Sequence, residues 1–137
     1  MGLFSFSGTP PTDIGVSNGQ LKGCPDTPNC VCSYTPASDK EHAIAAIPYT
    51  GSATDAISRL KQIIEGMERS TVKTISDDYL YAEFASNLMG FVDDVEFYAP
   101  SGESVIHTRS AARLGKSDLG VNRKRTEEIR AQFEAAS

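Results

Sequence analysis

The stretch from residue 70 to residue 111 carries the sequence feature that most constrains the fold. Its apolar residues recur at every second position, in four segments rich in β-branched and aromatic side chains: STVKTIS, YLYAEFAS, FVDDVEFYA and ESVIHTRSA. A period of two is typical of β-strands with one buried face. The connections SDD and PSG are short enough for tight turns, which join antiparallel neighbours. The sequence therefore predicts a four-stranded antiparallel meander.

Two amphipathic helices are predicted on either side of this stretch. The first spans about residues 53–67, with Ser52 or Thr54 as N-cap. The second begins near Asn122, ends at about Ala135, and buries Ile129 and Phe133. Strands joined by short turns and packed by two helices give an α+β fold.

Residues 1–50 are rich in Gly, Pro, Ser, Thr, Asn and Asp and show no sustained period. They are predicted to form a long irregular arm with a cysteine loop, belonging to the same domain as the α+β core of residues 51–137. Cys24 and Cys30 could form a disulfide in an oxidising compartment, which leaves Cys32 unpaired. The cysteine spacing is unusual for zinc, so neither a metal nor a cofactor is expected.

Charge and hydropathy exclude several classes of protein. The chain has 13 Lys and Arg against 18 Asp and Glu, a net charge of −5 that argues against nucleic-acid binding. No apolar run is long enough to span a bilayer, and the amino terminus lacks the pattern of a secretory signal. The expectation is a soluble chain, either cytoplasmic or plastid, or a mature form whose leader has been removed. The oligomeric state is left open.

The second hairpin suggests a polar sheet face. A two-residue turn at residues 101–102 would place Glu96 opposite His107. The same turn would place Asp94 opposite Arg109. Because side chains alternate, these four would share one face, and the residues between them would face the core. The polar face could be a set of solvent-exposed ion pairs, or the site of an acid–base enzyme in which Asp94 or Glu96 exchanges a proton with His107.

A basic stretch follows in RSAARLGKSDLGVNRKR, residues 109–125, where six cations surround one acid. Its last three cations fall in the first turn of the second helix, where the helix dipole disfavours positive charge. Either internal acids or an external anion could balance them. The structural polar cluster is predicted to contain Asp93, Asp94 and Asp118, with Arg113 as the partner of Asp93. The predicted ligand-binding residues are Arg109, Arg113, Ser117, Asn122, Arg123 and Arg125.

Three motifs together resemble a known family. The three motifs are LKGCPDTPNCVCS, YLYAEFASNLMGFVDDVEFY and IHTRSAARLGKSDLGVNRKRTEEIR. They are similar to motifs of the uncharacterised bacterial and plastid proteins grouped as domain of unknown function 1499. The resemblance implies no established activity, cofactor or catalytic residue. It implies that ten residues act as one unit: Cys24, Cys30, Asp93, Asp94, Arg109, Arg113, Ser117, Asp118, Asn122 and Arg123.

Three functions are consistent with these patterns. The leading hypothesis is a non-enzymatic binding module whose Asp/Arg cluster holds a small anion or an acidic segment of a partner. The second is the hydrolase-like acid–base enzyme built on His107. The third is an accessory subunit of a larger complex, including one associated with a membrane, in which the apolar residues of the arm make the contacts.

Overall fold

The computed structural model describes residues 10–85, 91–114 and 120–136. Its two helices are α1 (Ala53–Glu65) and α2 (Val121–Ala135). The strands are β1 (Val16–Ser17), β2 (Gln20–Leu21), β3 (Cys30–Cys32), β4 (Ile47–Pro48), β5 (Ser70–Ile75), β6 (Tyr79–Ala85), β7 (Val92–Tyr98) and β8 (Val105–Ala112). The α+β class is confirmed, and both helices lie where their periodicity predicts.

The main sheet has six strands, whereas four were predicted. Strands β5 to β8 form the expected antiparallel meander, and the order across the sheet is β3-β8-β7-β6-β5. β3 pairs with β8 at residues 109–111, and β4 pairs with the same strand at residues 105–106. Both added strands come from the segment predicted to be irregular, and they cover the outer edge of β8. Strands of two or three residues are too short to show a period, which is why the sequence pattern misses them.

The predicted register between β7 and β8 is wrong by two residues. Glu96 lies opposite Arg109, and Tyr98 lies opposite His107. The connection therefore spans residues 99–104 instead of a two-residue turn. Pro100 has no amide hydrogen for the ladder, and the amide of Ala99 donates to the carbonyl of Asp78 at 2.8 Å. A shift of two leaves every side chain on the predicted face, so the assignment of faces holds although the pairs change.

The helices pack on one face of the sheet and bury the apolar core. On the strands, Leu80, Val95, Phe97 and Ile106 are fully buried. Against them pack the apolar side of α1 and two residues of α2: Ile57, Leu60, Ile64, Ile129 and Phe133. Each such side chain contributes roughly 1.5–3 kcal/mol on burial. Ser52 caps α1, because its hydroxyl accepts the amide hydrogen of Asp55 at 3.1 Å.

The amino-terminal segment packs against the polar face of the sheet. The backbone amide of Gly15 donates to Glu96 Oε2 at 2.6 Å. The Sγ atoms of Cys24 and Cys30 lie 2.09 Å apart, at disulfide distance, which ties this segment to β3. The polar face is thus buried beneath residues 10–30 instead of being open to solvent. Charges on it need partners within the protein or in a ligand.

Candidate functional site

The cations of the basic stretch lie on different faces of the sheet. Arg113 contacts acids on the face beneath the amino-terminal segment, and Arg109 belongs to that face by its register with Glu96. Arg125 contacts an acid on the helix-covered face. A single basic corner, as the sequence suggested, is therefore not formed by these three residues.

One further predicted residue, Arg123, has a different environment, and two others lie outside the described residues. Arg123 donates from Nη2 to the carbonyl oxygens of Lys40 at 3.2 Å and Glu41 at 3.1 Å. It joins the first turn of α2 to the segment before β4. Ser117 and Asp118 lie in the range 115–119, outside the described residues.

Arg113 forms a buried ionic network with two carboxylates. Its Nε and Nη2 donate to the two carboxylate oxygens of Asp94 at 3.0 and 2.7 Å, a bidentate pair, and Nη2 also donates to Glu83 at 2.8 Å. The hydroxyl of Tyr81 donates to Asp94 at 2.6 Å. Burial and this bond raise the pKa of Tyr81, and the hydrogen bond to Asp94 raises the pKa of Arg113. The network keeps Arg113 charged and fully engaged.

The predicted pairing of Arg113 with Asp93 is wrong. Asp93 accepts instead from Nη2 of Arg125 at 2.8 Å, under the start of α2. The guanidinium of Arg125 also lies over the ring of Phe84, 4.7 Å from its centroid. Alternation places Asp93 on the helix-covered face, where Arg125 of α2 contacts it.

Asn122 links α2 to one strand and one loop. Ser110 donates its hydroxyl to Asn122 Oδ1, and Asn122 Nδ2 donates to the carbonyl oxygen of Asn29 at 3.3 Å. Only 1% of Asn122 is exposed. These contacts show Asn122 joining the helix to β8 and to the cysteine loop.

Glu96 and Arg109 differ from the other charged residues of the site. Glu96 is fully buried, and its Oε2 accepts hydrogen bonds from Gly15 and from the hydroxyl of Tyr79, each at 2.6 Å. Burial raises the pKa of Glu96, which favours its neutral form. Among the residues that the structure describes, neither Glu96 Oε1 nor Arg109 Nε has a hydrogen-bond partner. Arg109 is 7% exposed, so its Nε is a buried cationic donor with no described acceptor.

The predicted pairing of His107 with Glu96 is wrong, because the register puts Tyr98 opposite His107. Nδ1 of His107 instead lies 2.9 Å from the hydroxyl oxygen of Ser33, and Nε2 of His107 lies 3.1 Å from Glu103 Oε1. Neither Ser33 nor Glu103 is among the site residues predicted from the sequence. Ser33 follows a strand too short to recognise, and Glu103 was assigned to a strand that in fact starts two residues later.

Comparison with known families agrees with the resemblance carried by the sequence motifs. A family model described as "Protein of unknown function (DUF1499)" matches residues 20–133 of the chain. The chain belongs to this family. No curated protein matches it. The matched range of this DUF1499 protein includes Cys24, Glu96 and Arg109, whereas Gly15 precedes it.

No described helix of this DUF1499 protein is long and apolar enough to cross a membrane. The described ranges contain no group of three or more His, Cys, Asp or Glu side chains placed to hold a metal ion.

Proposed function

We propose that this DUF1499 protein is a binding module, and that Arg109 holds a small anion or an acidic side chain of a partner. The observation that carries the proposal is the buried Nε of Arg109, which has no acceptor among the described residues. A buried donor without a partner costs about 1–3 kcal/mol, and more when it is charged. An anionic ligand supplies the acceptor and offsets that cost.

The chemistry of the guanidinium indicates which anions fit. A guanidinium presents several N–H donors in a planar fork that matches the oxygens of a carboxylate or phosphate. Glu96 lies directly opposite Arg109 and competes poorly with such a ligand, because burial raises the pKa of Glu96 and favours its uncharged form. To the extent that burial keeps Glu96 uncharged, the positive charge of Arg109 is left for a ligand to balance.

The surroundings of Arg109 favour binding over catalysis at this position. Cys32, its partner on β3, is fully buried, and burial raises the pKa of its thiol. A protonated thiol is a poor nucleophile. Burial and the hydrogen bond to Glu96 likewise raise the pKa of Tyr79 and keep its hydroxyl protonated.

The other predicted cations support this assignment because they already have partners. Arg113 is neutralised by Asp94 and Glu83, and Arg125 is neutralised by Asp93. An external anion would have to displace a bidentate carboxylate from Arg113, whereas at Arg109 Nε it would displace no described acceptor.

The proposal is tested by measuring the binding of inorganic phosphate, acetate and a short oligoglutamate peptide. Calorimetry gives the affinities, and thermal denaturation gives the stabilisation by each ligand. A ligand at one hundred times its Kd stabilises the folded state by about 2.7 kcal/mol. Arg109→Gln should lose at least about tenfold in affinity, the equivalent of 1.4 kcal/mol. Arg69→Gln is the matched control, because Arg69 is an exposed arginine whose partner, Glu68, is also exposed.

Stability without ligand separates binding from a structural role. If Arg109 is a binding residue, Arg109→Gln should be as stable as the wild type or more stable in ligand-free buffer. If Arg109 instead served as the essential counterion of Glu96, its removal should destabilise the protein strongly. Unchanged affinity in Arg109→Gln, or no binding of any of these anions by the wild type, would refute the proposal.

A further inference from the structure

A second cluster of reactive side chains lies at the outer edge of β8, apart from the ionic network. It consists of Ser33, His107 and Glu103, joined in that order by hydrogen bonds. Ser33 Oγ lies 2.9 Å from His107 Nδ1, and His107 Nε2 lies 3.1 Å from Glu103 Oε1. The order hydroxyl, imidazole and carboxylate is the one that activates a serine nucleophile.

The contacts favour one tautomer of a neutral His107. Glu103 can only accept a hydrogen bond when ionised, so in a neutral imidazole Nε2 carries the hydrogen and Nδ1 is left as an acceptor. The hydroxyl of Ser33 then donates to Nδ1 at 2.9 Å in preference to the carbonyl oxygen of Thr108, which lies farther away at 3.4 Å. Tyr34 stacks on the imidazole at a centroid distance of 3.9 Å and holds the plane of the ring. A neutral imidazole in this tautomer is a general base directed at Ser33.

Ser33 also lines a cavity of about 440 Å³. The other walls are mostly small and apolar, formed by Thr35, Ile44 and alanines 37, 43, 45 and 46. Of the described residues that line it, Lys40 alone is charged. Walls of this kind fit a short aliphatic acyl group, and the ammonium of Lys40 can balance negative charge that develops on a carbonyl oxygen.

The backbone holds Ser33 Oγ in place. The amide of Thr108 donates to Oγ at 2.8 Å, and the amide of Ser33 donates to the carbonyl oxygen of Thr108 at 2.9 Å. A hydroxyl that accepts one hydrogen bond still has its own hydrogen and a second lone pair. Oγ can therefore donate to His107 and attack a carbonyl carbon while it remains positioned.

We propose that Ser33 and His107 are catalytic residues for the hydrolysis of short-chain carboxylic esters, with Glu103 as a positioning residue. Ser33 Oγ forms a bond to the ester carbonyl carbon, and its proton passes to His107 Nδ1. The bond from that carbon to the alcohol oxygen breaks, and the alcohol leaves with the proton from Nδ1. Water then attacks the acyl-serine, gives one proton to Nδ1, and releases the carboxylic acid as Ser33 recovers its proton. Nothing is oxidised or reduced, and water is the only co-reactant.

The proposal is tested by treating the wild-type protein with p-nitrophenyl acetate and p-nitrophenyl butyrate. Mass spectrometry of the intact protein and of its peptides then measures and locates the acylation. The expected result is one acyl group per chain, located on Ser33, with release of p-nitrophenol. Because the modified residue is located in the wild type, a folding defect in a variant does not affect this part of the test. The proposal is overturned if Ser33 of the wild type is not acylated, or if only lysines are.

The variants assign the roles. His107→Gln should slow acylation at Ser33 by at least about 100-fold, the usual contribution of a general base. Glu103→Gln should lower the acylation rate constant while leaving KM unchanged, because Glu103 orients the base without touching the ester. Ser70→Ala is the control, because the hydroxyl of Ser70 donates to the backbone carbonyls of Ile64 and Met67 and not to a histidine. Ser33 should be acylated in this variant as in the wild type. Undiminished acylation of Ser33 in His107→Gln would overturn the mechanism.

Discussion

Removal of Arg113 should be among the most destabilising single changes on the polar face. The Arg113 side chain is 7% exposed and that of Asp94 is 4% exposed, and the two share a bidentate contact. Glu83 is bound to the same guanidinium. Arg113→Ala would leave two carboxylates side by side with no cation between them. Loss of one partner from a buried ion pair costs about 3–5 kcal/mol.

Thermal and urea denaturation of Arg113→Ala measure this cost. For a domain of this size, each kcal/mol lowers Tm by roughly 3–5 °C, so Arg113→Ala should melt about 10–20 °C below the wild type. Arg69→Ala provides the comparison, because its partner Glu68 is 82% exposed and such pairs contribute about 0–1 kcal/mol. The deficit of Arg113→Ala should shrink at acidic pH, where protonation removes the uncompensated charge.

A double-mutant cycle identifies the origin of the loss. Asp94→Asn in the Arg113→Ala background removes one of the two carboxylates left without a counterion. If the ion pair is the cause, the double variant should recover part of the stability, with a coupling energy of up to about 3 kcal/mol. A cost for Arg113→Ala no larger than that of Arg69→Ala, or strict additivity in the cycle, would refute this account.

Three further predictions concern other parts of the fold. His42 Nδ1 bonds to Asp39 and its Nε2 to the carbonyl of Thr27, each at 2.8 Å, and the bond to Asp39 raises the pKa of His42. The stability that protonated His42 contributes to the fold should be complete below pH 6.5, its ordinary pKa, and should be lost as the pH rises through its higher pKa in the folded protein. A difference in unfolding free energy between wild type and His42→Gln that does not change with pH would contradict this. Cys32 is fully buried and burial raises its pKa, so the folded protein should react with a thiol reagent at least about 100-fold more slowly than the urea-denatured protein, and comparable rates would argue against it. Gly120 has a φ of 80°, so Gly120→Ala should lower the free energy of urea unfolding by about 1–2 kcal/mol, and an unchanged midpoint would show that this backbone relaxes freely.

The elements predicted well are those long enough to show a period. The helix beginning at Ala53 and the four strands of the meander each bury one face, and that burial imposes the spacing of their apolar residues. β3 and β4 pair with β8 through two or three residues each, and no periodic signal exists at that length. Those segments are strands because they pair with the edge of β8, and not because of their local sequence propensity.

Alternation predicts the faces of a hairpin but not its pairs. A shift by two residues moves no side chain to the other face, so the pattern of β7 and β8 is equally consistent with both registers. The choice depends on the length of the connection, and Pro100 lengthens it by ending the ladder. The acid–base hypothesis combined His107 with Asp94 or Glu96, whereas the cross-strand partner of His107 is Tyr98 and that of Glu96 is Arg109.

That single shift also changes the balance of charge on the polar face. With Arg109 opposite Glu96 instead of Asp94, the Asp94 carboxylate is available to Arg113, which takes both of its oxygens. Glu96 is then the nearest acid by register to Arg109, but its Oε2 is already bound by Gly15 and Tyr79, and burial raises its pKa. Because burial raises the pKa of Glu96 and favours its neutral form, Glu96 offsets the guanidinium charge less than an exposed carboxylate would. The positive charges of Arg113 and Arg125 in the basic stretch, residues 109–125, are thus neutralised by carboxylates of the protein. We infer that the charge of Arg109 is neutralised by a bound anion.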